Sequence, residues 1–123
     1  MGINALSFSY PYGEYNAETL SIVKGAGLSN AVTTIETPVS QNADPFQIPS
    51  PSLQLSDTPD KVEQMIQSAV SNHQWLILTF HRIDSSGDQY SMTPENFREI
   101  VDYVSKHKIP VVTVSQGAAQ LSH

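Results

Sequence analysis

Two short runs of apolar and β-branched residues constrain the fold of this chain more than any other feature. Residues 75–80 read WLILTF and residues 109–114 read IPVVTV, and neither run alternates between apolar and polar positions. A strand that is apolar on both faces is typical of a parallel sheet covered by helices. Both runs are therefore predicted to be buried strands of an α/β domain.

Helices are predicted before, between and after these runs. Asn16 can cap a helix that continues to about Lys24. Thr58-Pro59 and Thr93-Pro94 each combine an N-cap hydroxyl with a proline at the first helical position. Ser115 is predicted to cap a last short helix, QGAAQL. The buried stripes at helical spacing are predicted to be Leu20, Val23 and Ala26, then Val62, Met65, Ile66, Ala69 and Val70, and then Phe97, Ile100, Val101 and Val104.

The remaining segments are less regular. Residues 3–9 and 28–34 are predicted strands, whereas residues 35–57 contain four prolines and are predicted to form a long loop. Within that loop, the alternation of Leu53 and Leu55 leaves a short strand open as an alternative. Strands alternating with helices indicate a parallel α/β architecture, here a single domain over residues 1–123.

Composition narrows the function classes. The 123 residues include 12 acidic and 6 basic side chains and no cysteine. The basic residues are scattered, so no nucleic-acid partner is expected, and without cysteine there is no disulfide or thiolate metal site. No apolar run reaches the roughly 18 residues of a membrane span. The start, MGINALSFSYPYGEYN, lacks the pattern of a secretory signal, and the compartment is left open.

One histidine stands out by its position. His81 follows the predicted strand 75–80, and sites in parallel α/β proteins gather at the carboxyl ends of strands. It is therefore a candidate catalytic residue, with a strand-end histidine hydrogen-bonded to a loop as the alternative. His73 and His107 follow the last turns of predicted helices, and His123 ends the chain. No two histidines have the spacing of a helical metal site, so no metal site is predicted.

The second candidate is the stretch SYPYGEYN, residues 9–16, which follows the first predicted strand. It should lie on the same rim as His81. A rigid Tyr-Pro-Tyr-Gly turn can direct backbone N–H groups at a ligand oxygen. The alternative is a packed turn whose tyrosines cover the core.

These segments resemble a known family. SYPYGEYN, DPFQIP, WLILTFHRI, GDQYSMTPENF and IPVVTVSQGAAQL occur in the order seen in the C-terminal half of polysaccharide deacetylases. The resemblance implies a partial (β/α) barrel from an enzyme that hydrolyses N- or O-acetyl groups of carbohydrate with a divalent metal, commonly zinc. It implies that His81 is the general acid and that the Tyr12 N–H holds the oxyanion. It further implies carbohydrate contacts from Tyr10, Pro11 and Tyr15.

The sequence also differs from the family pattern at specific positions. No aspartate pair follows a strand and no His-x-x-x-His occurs, so the family's base and metal ligands have no counterpart. Ser9 stands where the family has arginine. The segment from Leu78 to His81 is one residue longer than Leu-x-His. We expect a chain that begins after the missing motifs, holds no metal by itself and is inactive alone.

Two hypotheses follow. In one, the chain is the C-terminal portion of a carbohydrate deacetylase. In the other, it is a non-catalytic dimeric or carbohydrate-binding remnant of that fold. In either case half of a barrel would leave two open sheet edges and an uncovered apolar face, which predicts association into a twofold homodimer.

Overall fold

A computed structural model describes residues 2 and 4–121. The chain is a small α/β protein with parallel strand pairs and helices. No helix among the described residues is both long enough and apolar enough to cross a membrane. In chain order the elements are β1 (Ser7–Ser9), a 3-10 turn (Pro11–Gly13), α1 (Ala17–Gly25), β2 (Asn30–Val32), α2 (Pro59–Ser71), β3 (Arg82–Ile83), β4 (Ser91–Met92), α3 (Pro94–Lys106) and α4 (Val114–Ala118).

The strands form two parallel pairs. β1 lies beside β2, with Phe8 opposite Ala31, and β3 lies beside β4. The first two predicted strands are thus confirmed as shorter elements, and residue 3 lies outside the described residues. The predicted α/β class with parallel pairing is confirmed. The described strands do not close into a barrel.

Three of the helix starts follow the predicted capping chemistry. The Asn16 side chain accepts a hydrogen bond from the Thr19 N–H at 2.8 Å. Thr58 and Thr93 each accept from the backbone N–H three residues later, and each is followed by proline at the start of its helix. A side-chain oxygen at this position satisfies one N–H that the helix itself leaves unpaired. These three predictions are confirmed.

The last helix begins differently from the prediction. Thr113 is its N-cap and forms a reciprocal capping box with Gln116, so Ser115 lies inside the helix. The predicted strand 109–114 is also wrong, since it is not a strand and Val111 is 80% exposed. Pro110 removes a backbone donor there, and the Thr113 cap diverts the chain into α4.

The run 75–80 is half-buried rather than buried and forms only isolated bridges. Trp75 pairs with Val39 in antiparallel orientation, and Thr79 pairs with Ser52 in parallel orientation. The prediction of a continuous, fully buried strand is therefore wrong. Its partners come from the segment 35–57 that was predicted to be a loop. Prolines break that segment into pieces too short to be recognised by alternation.

Three clusters of buried side chains form the core. One lies between α2 and α3 and contains Leu53 and Met92. A second lies below the β1–β2 pair, and a third joins α4 to Trp75. Of the predicted helix stripes, the buried members are Val23, Val62, Ile66, Ala69 and Ile100, the half-buried ones are Leu20, Met65, Phe97 and Val104, and the exposed ones are Ala26, Val70 and Val101. In each of these helices, fewer residues are buried than the sequence predicted.

Candidate functional site

The two predicted site segments meet at one cleft. Its volume is about 420 Å³, and it brings together the turn after β1, the chain after β2, the segment around Ser52, and the residues that immediately precede β3 and β4. The side chains that line it are Tyr12, Thr34, Glu36, Ser52, Gln54, His81 and Tyr90. A cleft of this size is within the range of small-molecule sites. We refer to it as the His81 cleft.

His81 is held from two sides. Its Nε2 lies 3.3 Å from the Ser52 hydroxyl oxygen. The ring of Tyr90 meets the imidazole edge-on, with centroids 5.1 Å apart. Ser52 is itself fixed by its bridge to Thr79, two residues before the histidine. The imidazole is therefore oriented while remaining exposed to a ligand.

Tyr12 lies in a strained turn. Its φ of 56° is in the left-handed region, and Gly13 follows at 72°. A β-carbon on Gly13 would lie 2.1 Å from the Thr34 hydroxyl oxygen, so only glycine allows this close approach. The turn's hydrogen bonds are donated by Gly13 and Glu14. No hydrogen bond from the Tyr12 N–H is found among the described residues.

The Tyr12 side chain is 95% exposed, whereas Tyr10 is only 3% exposed. The Tyr10 hydroxyl donates to the Phe46 carbonyl at 3.0 Å, and its ring lies 5.0 Å from that of Tyr15. Burial, aided by the Asp44 charge, raises the pKa of Tyr10 and keeps its hydroxyl a donor. Tyr10 thus supports the turn from within the core. The residues lining the His81 cleft do not include Tyr10, Pro11 or Tyr15.

An ion pair lies beside the cleft. Lys61 donates to Asp57 Oδ1, and the Gln54 N–H donates to Asp57 Oδ2 at 2.7 Å. Burial acts to raise the pKa of Asp57, but the hydrogen bonds from Lys61 and Gln54 outweigh it, and the pKa is lowered. The hydrogen bond to Asp57 raises the pKa of Lys61, and the negative charge of Glu36 acts in the same direction. The Asp57 carboxylate consequently stays ionised and fixes the backbone at Gln54.

The loop that carries Tyr90 is held together by ion pairs and hydrogen bonds. Arg82 donates to Asp84 at 3.1 Å and to Asp88. The Ser86 hydroxyl and N–H both donate to Asp84, which lowers the pKa of that carboxyl group. These contacts stabilise the loop between β3 and β4. The loop positions Tyr90 against His81.

The described residues offer no group of three His, Asp or Glu side chains placed to hold a metal ion. Among the described residues that line the His81 cleft, His and Asp or Glu side chains are represented by His81 and Glu36 alone. His107 directly follows α3 and His73 lies two residues after the end of α2, as predicted for both, and His123 lies outside the described residues. The zinc implied by the resemblance therefore does not fit the side chains in this part of the chain.

Of the side chains that line the cleft, the sequence analysis singled out His81 and Tyr12, because each follows a strand-like run. It missed Ser52, Gln54, Thr34, Glu36 and Tyr90. A signal for the first two was present, since Leu53 is buried and extended backbone directs its neighbours to the opposite face. The others depend on contacts between distant segments, which no local pattern encodes.

Comparisons of this chain with protein-family models, with curated proteins and with solved structures found no match.

Proposed function

We propose that this chain is the C-terminal portion of a polysaccharide deacetylase-like barrel and that the His81 cleft binds an acetylated carbohydrate. One observation carries the proposal: His81 and Tyr12, the two residues that the resemblance assigns to the active site, line the same cleft. The resemblance rests on the order of sequence motifs, whereas the cleft rests on geometry. Because the resemblance and the geometry indicate the same two residues, they support a role for His81 and Tyr12 in one site.

The proposed chemistry uses two groups of this chain. A water oxygen attacks the acetyl carbon to give a tetrahedral intermediate, and the groups that activate this water are not supplied by this chain. When the intermediate collapses, the C–N bond breaks, acetate is formed and the departing nitrogen takes a proton from His81. The Tyr12 N–H donates to the acetyl oxygen as that oxygen gains negative charge. Ser52 and Tyr90 keep the imidazole oriented between them. His81 is thus the proposed catalytic acid, and Ser52 is a positioning residue.

The remaining parts of the reaction have no counterpart here. Zinc supplies the activated water in the family, but too few ligands surround the cleft, so no metal-dependent step is assigned to this chain. The aspartate pair that supplies the family's base is absent from the sequence. We expect no zinc-dependent acetate release from acetylated chito-oligosaccharides by the purified chain. Such release would contradict this part of the proposal.

A partial barrel and a homodimer belong to the same proposal. The bridges from Val32 to Ile48 and from Ser52 to Thr79 are parallel and support this proposal, whereas the bridge from Val39 to Trp75 is antiparallel. An apolar groove of about 420 Å³ lies between α2, α3 and residues 109–112. A second copy that covers this groove would bury side chains such as Val111, which is otherwise among the most exposed in the chain.

Binding of tri-N-acetylchitotriose, followed by calorimetry, tests the proposed function. His81→Ala should weaken binding about fivefold, since it removes one contact worth about 1 kcal/mol. Tyr12→Ala keeps the backbone N–H but removes the exposed ring from the cleft, and the loss of that ring contact should weaken binding by a similar factor. Both side chains are exposed, so neither change should disturb folding. His107→Ala, at the end of α3, is the control and should bind like the unchanged protein. Equal binding by all four proteins would contradict the proposal.

The second candidate function is carbohydrate binding without catalysis. It is favoured by the exposed rings of Tyr12 and Tyr90 at the cleft and by the shortage of metal ligands there. Aromatic faces at such positions stack well against the C–H face of a sugar. Supplying a chain that carries the missing motifs separates the two functions. Restored deacetylation that depends on His81 favours the enzyme, whereas binding with no restored turnover favours the module.

A further inference from the structure

One straight stretch of backbone lies between two anchored residues. The Ile109 N–H donates to the Val104 carbonyl at 3.1 Å, and the Thr113 N–H donates to the Gln116 side chain at 2.9 Å. The chain between these anchors contains no turn or bend. No backbone hydrogen bond to or from residues 110–112 is found among the described residues. This stretch therefore has the straight path of a strand and the unpaired backbone groups of a sheet edge.

The side chains of residues 110–112 are apolar and poorly covered. Val111 is 80% exposed and Val112 is 41% exposed, although both are β-branched residues of the kind that strands favour. With Pro110 they line the apolar groove of about 420 Å³ beside α2 and α3, which we call the α2–α3 groove. We call residues 110–112 the 110–112 edge. A strand that pairs with this edge would satisfy its backbone groups and cover its side chains together.

The donors of the 110–112 edge indicate the side on which a partner strand fits. In an antiparallel pair, alternate residues direct their N–H and C=O groups towards the partner. Pro110 has no N–H to donate. A partner on the side to which Val111 directs its groups therefore meets a complete donor and acceptor pair. A partner on the other side would meet the proline.

The charge distribution favours a second copy of this chain as the partner. All 12 acidic side chains lie in residues 14–102, and the sequence after Asp102 contains two lysines and no acidic residue. Among the described residues that line the α2–α3 groove, none is Asp, Glu, Lys or Arg. Two copies that meet along the 110–112 edge therefore bring no carboxylate into the groove, although each carries a net charge of −6. A second copy also supplies an identical unpaired edge.

Both ends of the 110–112 edge are bounded. Lys108 precedes it with a φ of 53°, in the left-handed region. Thr113 follows it and starts α4 through the capping box with Gln116. An edge that pairs with its own twofold copy is used up in that contact, so association stops at two chains. This geometry favours a closed dimer over an extended sheet.

We propose that two copies of this chain pair along residues 110–112 in antiparallel orientation, with Val111 on the twofold axis. This inference rests on the homodimer of the proposed function and names the backbone atoms that join it. The Val111 N–H of each chain donates to the Val111 carbonyl of the other. The α2–α3 groove and the His81 cleft have no lining residue in common. Pairing along the edge therefore leaves the residues of both clefts free to bind carbohydrate.

The variant Val111→Cys tests the pairing by cross-linking, because the chain has no cysteine of its own. The α-carbons of a hydrogen-bonded antiparallel pair lie about 5.5 Å apart, which a disulfide can span. With glutathione disulfide as the oxidant, Val111→Cys should become a covalent dimer. Val101→Cys, exposed on α3 and outside the groove, is the matched control and should stay uncross-linked. Equal cross-linking of the two variants, or none in either, would overturn the pairing.

Hydrogen exchange tests the same contact in the unchanged protein, independently of how a variant folds. The Val111 amide proton should exchange about tenfold more slowly in the dimer than after dilution to the monomer, because it is bonded across the axis. The Val112 N–H points away from the second copy and provides the control signal, with one rate at both concentrations. A Val111 rate that does not change with concentration would contradict the pairing.

Failure of the pairing and failure of the proposed function give different results. Cross-linking of Val111→Cys without binding of tri-N-acetylchitotriose would overturn the carbohydrate cleft and leave the pairing intact. Sugar binding by a dimer that does not cross-link through this position would overturn the pairing alone. A chain that stays monomeric would overturn both the pairing and the homodimer, and would assign the 110–112 edge to a strand of a different protein.

Discussion

At the scale of single residues, the Tyr12 turn depends on the absence of a β-carbon at Gly13. The glycine packs so closely against Thr34 that any β-carbon would overlap its side chain. A positive φ at Tyr12 adds strain, because residues with a β-carbon rarely adopt it. The turn's hydrogen bonds come from Gly13 and Glu14, and none from the Tyr12 N–H is found among the described residues. In the proposed function, the Tyr12 N–H is the donor to the acetyl oxygen.

Gly13→Ala should lower the free energy of unfolding by about 2 kcal/mol, the usual size of an overpacking defect. Gly25→Ala is the matched control, because no atom lies within 4 Å of the position its β-carbon would take. At that helical position alanine should raise stability by about 0.5 kcal/mol. Urea titration measures both changes. A Gly13→Ala protein as stable as the unchanged one would show that the turn is not built this way.

The pH dependence of the free energy of unfolding should show the contribution of the Asp57 carboxylate. Its lowered folded-state pKa means that the carboxylate stabilises the protein above the unfolded-state value of about 4, and that this contribution is lost as pH falls through the folded-state pKa. At pH 7, Asp57→Asn should cost about 1 kcal/mol of unfolding free energy, a figure already reduced for the exposure of Lys61.

The difference between the Asp57→Asn protein and the unchanged protein should shrink as the pH is lowered towards the folded-state pKa. Asp102→Asn, on an exposed face of α3, is the control and should change stability little at either end of the range. Urea titrations across the acid range measure this. A difference that stays constant with pH would mean that the ion pair contributes nothing through its charge.

At the scale of elements, three of the four predicted helix starts were correct, whereas only the first two of the four predicted strands were confirmed, as shorter elements. A cap is local, since Asn16 accepts from an N–H only three residues away. A strand needs a partner that the sequence does not place nearby. Residues 75–80 pair with Val39 and Ser52, whereas residues 110–112 remain exposed although the run 109–114 has the composition of a strand. The same difference between local and long-range contacts applies to the cleft. His81 was predictable from its neighbours in the sequence, whereas Gln54 was not.

The start of α4 provides a paired test of this point. Thr113→Ala should lower the free energy of unfolding by about 1 kcal/mol, because it removes the cap. Ser115→Ala should cost only a few tenths of that, since its only side-chain contact among the described residues is an exposed bond to Ser7. Equal losses in thermal or urea unfolding would contradict the assignment of Thr113 as the cap.

At the scale of the whole molecule, the apolar surface between α2, α3 and residues 109–112 is the feature that the chain leaves uncovered. Apolar surface of this kind favours association, because its removal from water is worth about 25 cal/mol per Å². The predicted homodimer would use it. The net charge of −6 opposes association, so the dimer should tighten as salt is added.

Sedimentation velocity at micromolar concentration should show a dimer for the unchanged chain. Val111→Asp should convert it to a monomer by placing a charge in the contact. Val101→Asp is the control, because Val101 is exposed on α3 and does not line the groove. A monodisperse monomer for the unchanged chain would contradict the predicted association.

We propose that His81 and Tyr12 belong to one carbohydrate-binding cleft. Backbone amide shift mapping during titration with tri-N-acetylchitotriose tests this most directly. We expect the amides of Tyr12, Ser52, His81 and Tyr90 to shift together with a single binding constant. Shifts confined to other surfaces, or none at saturating sugar, would contradict it.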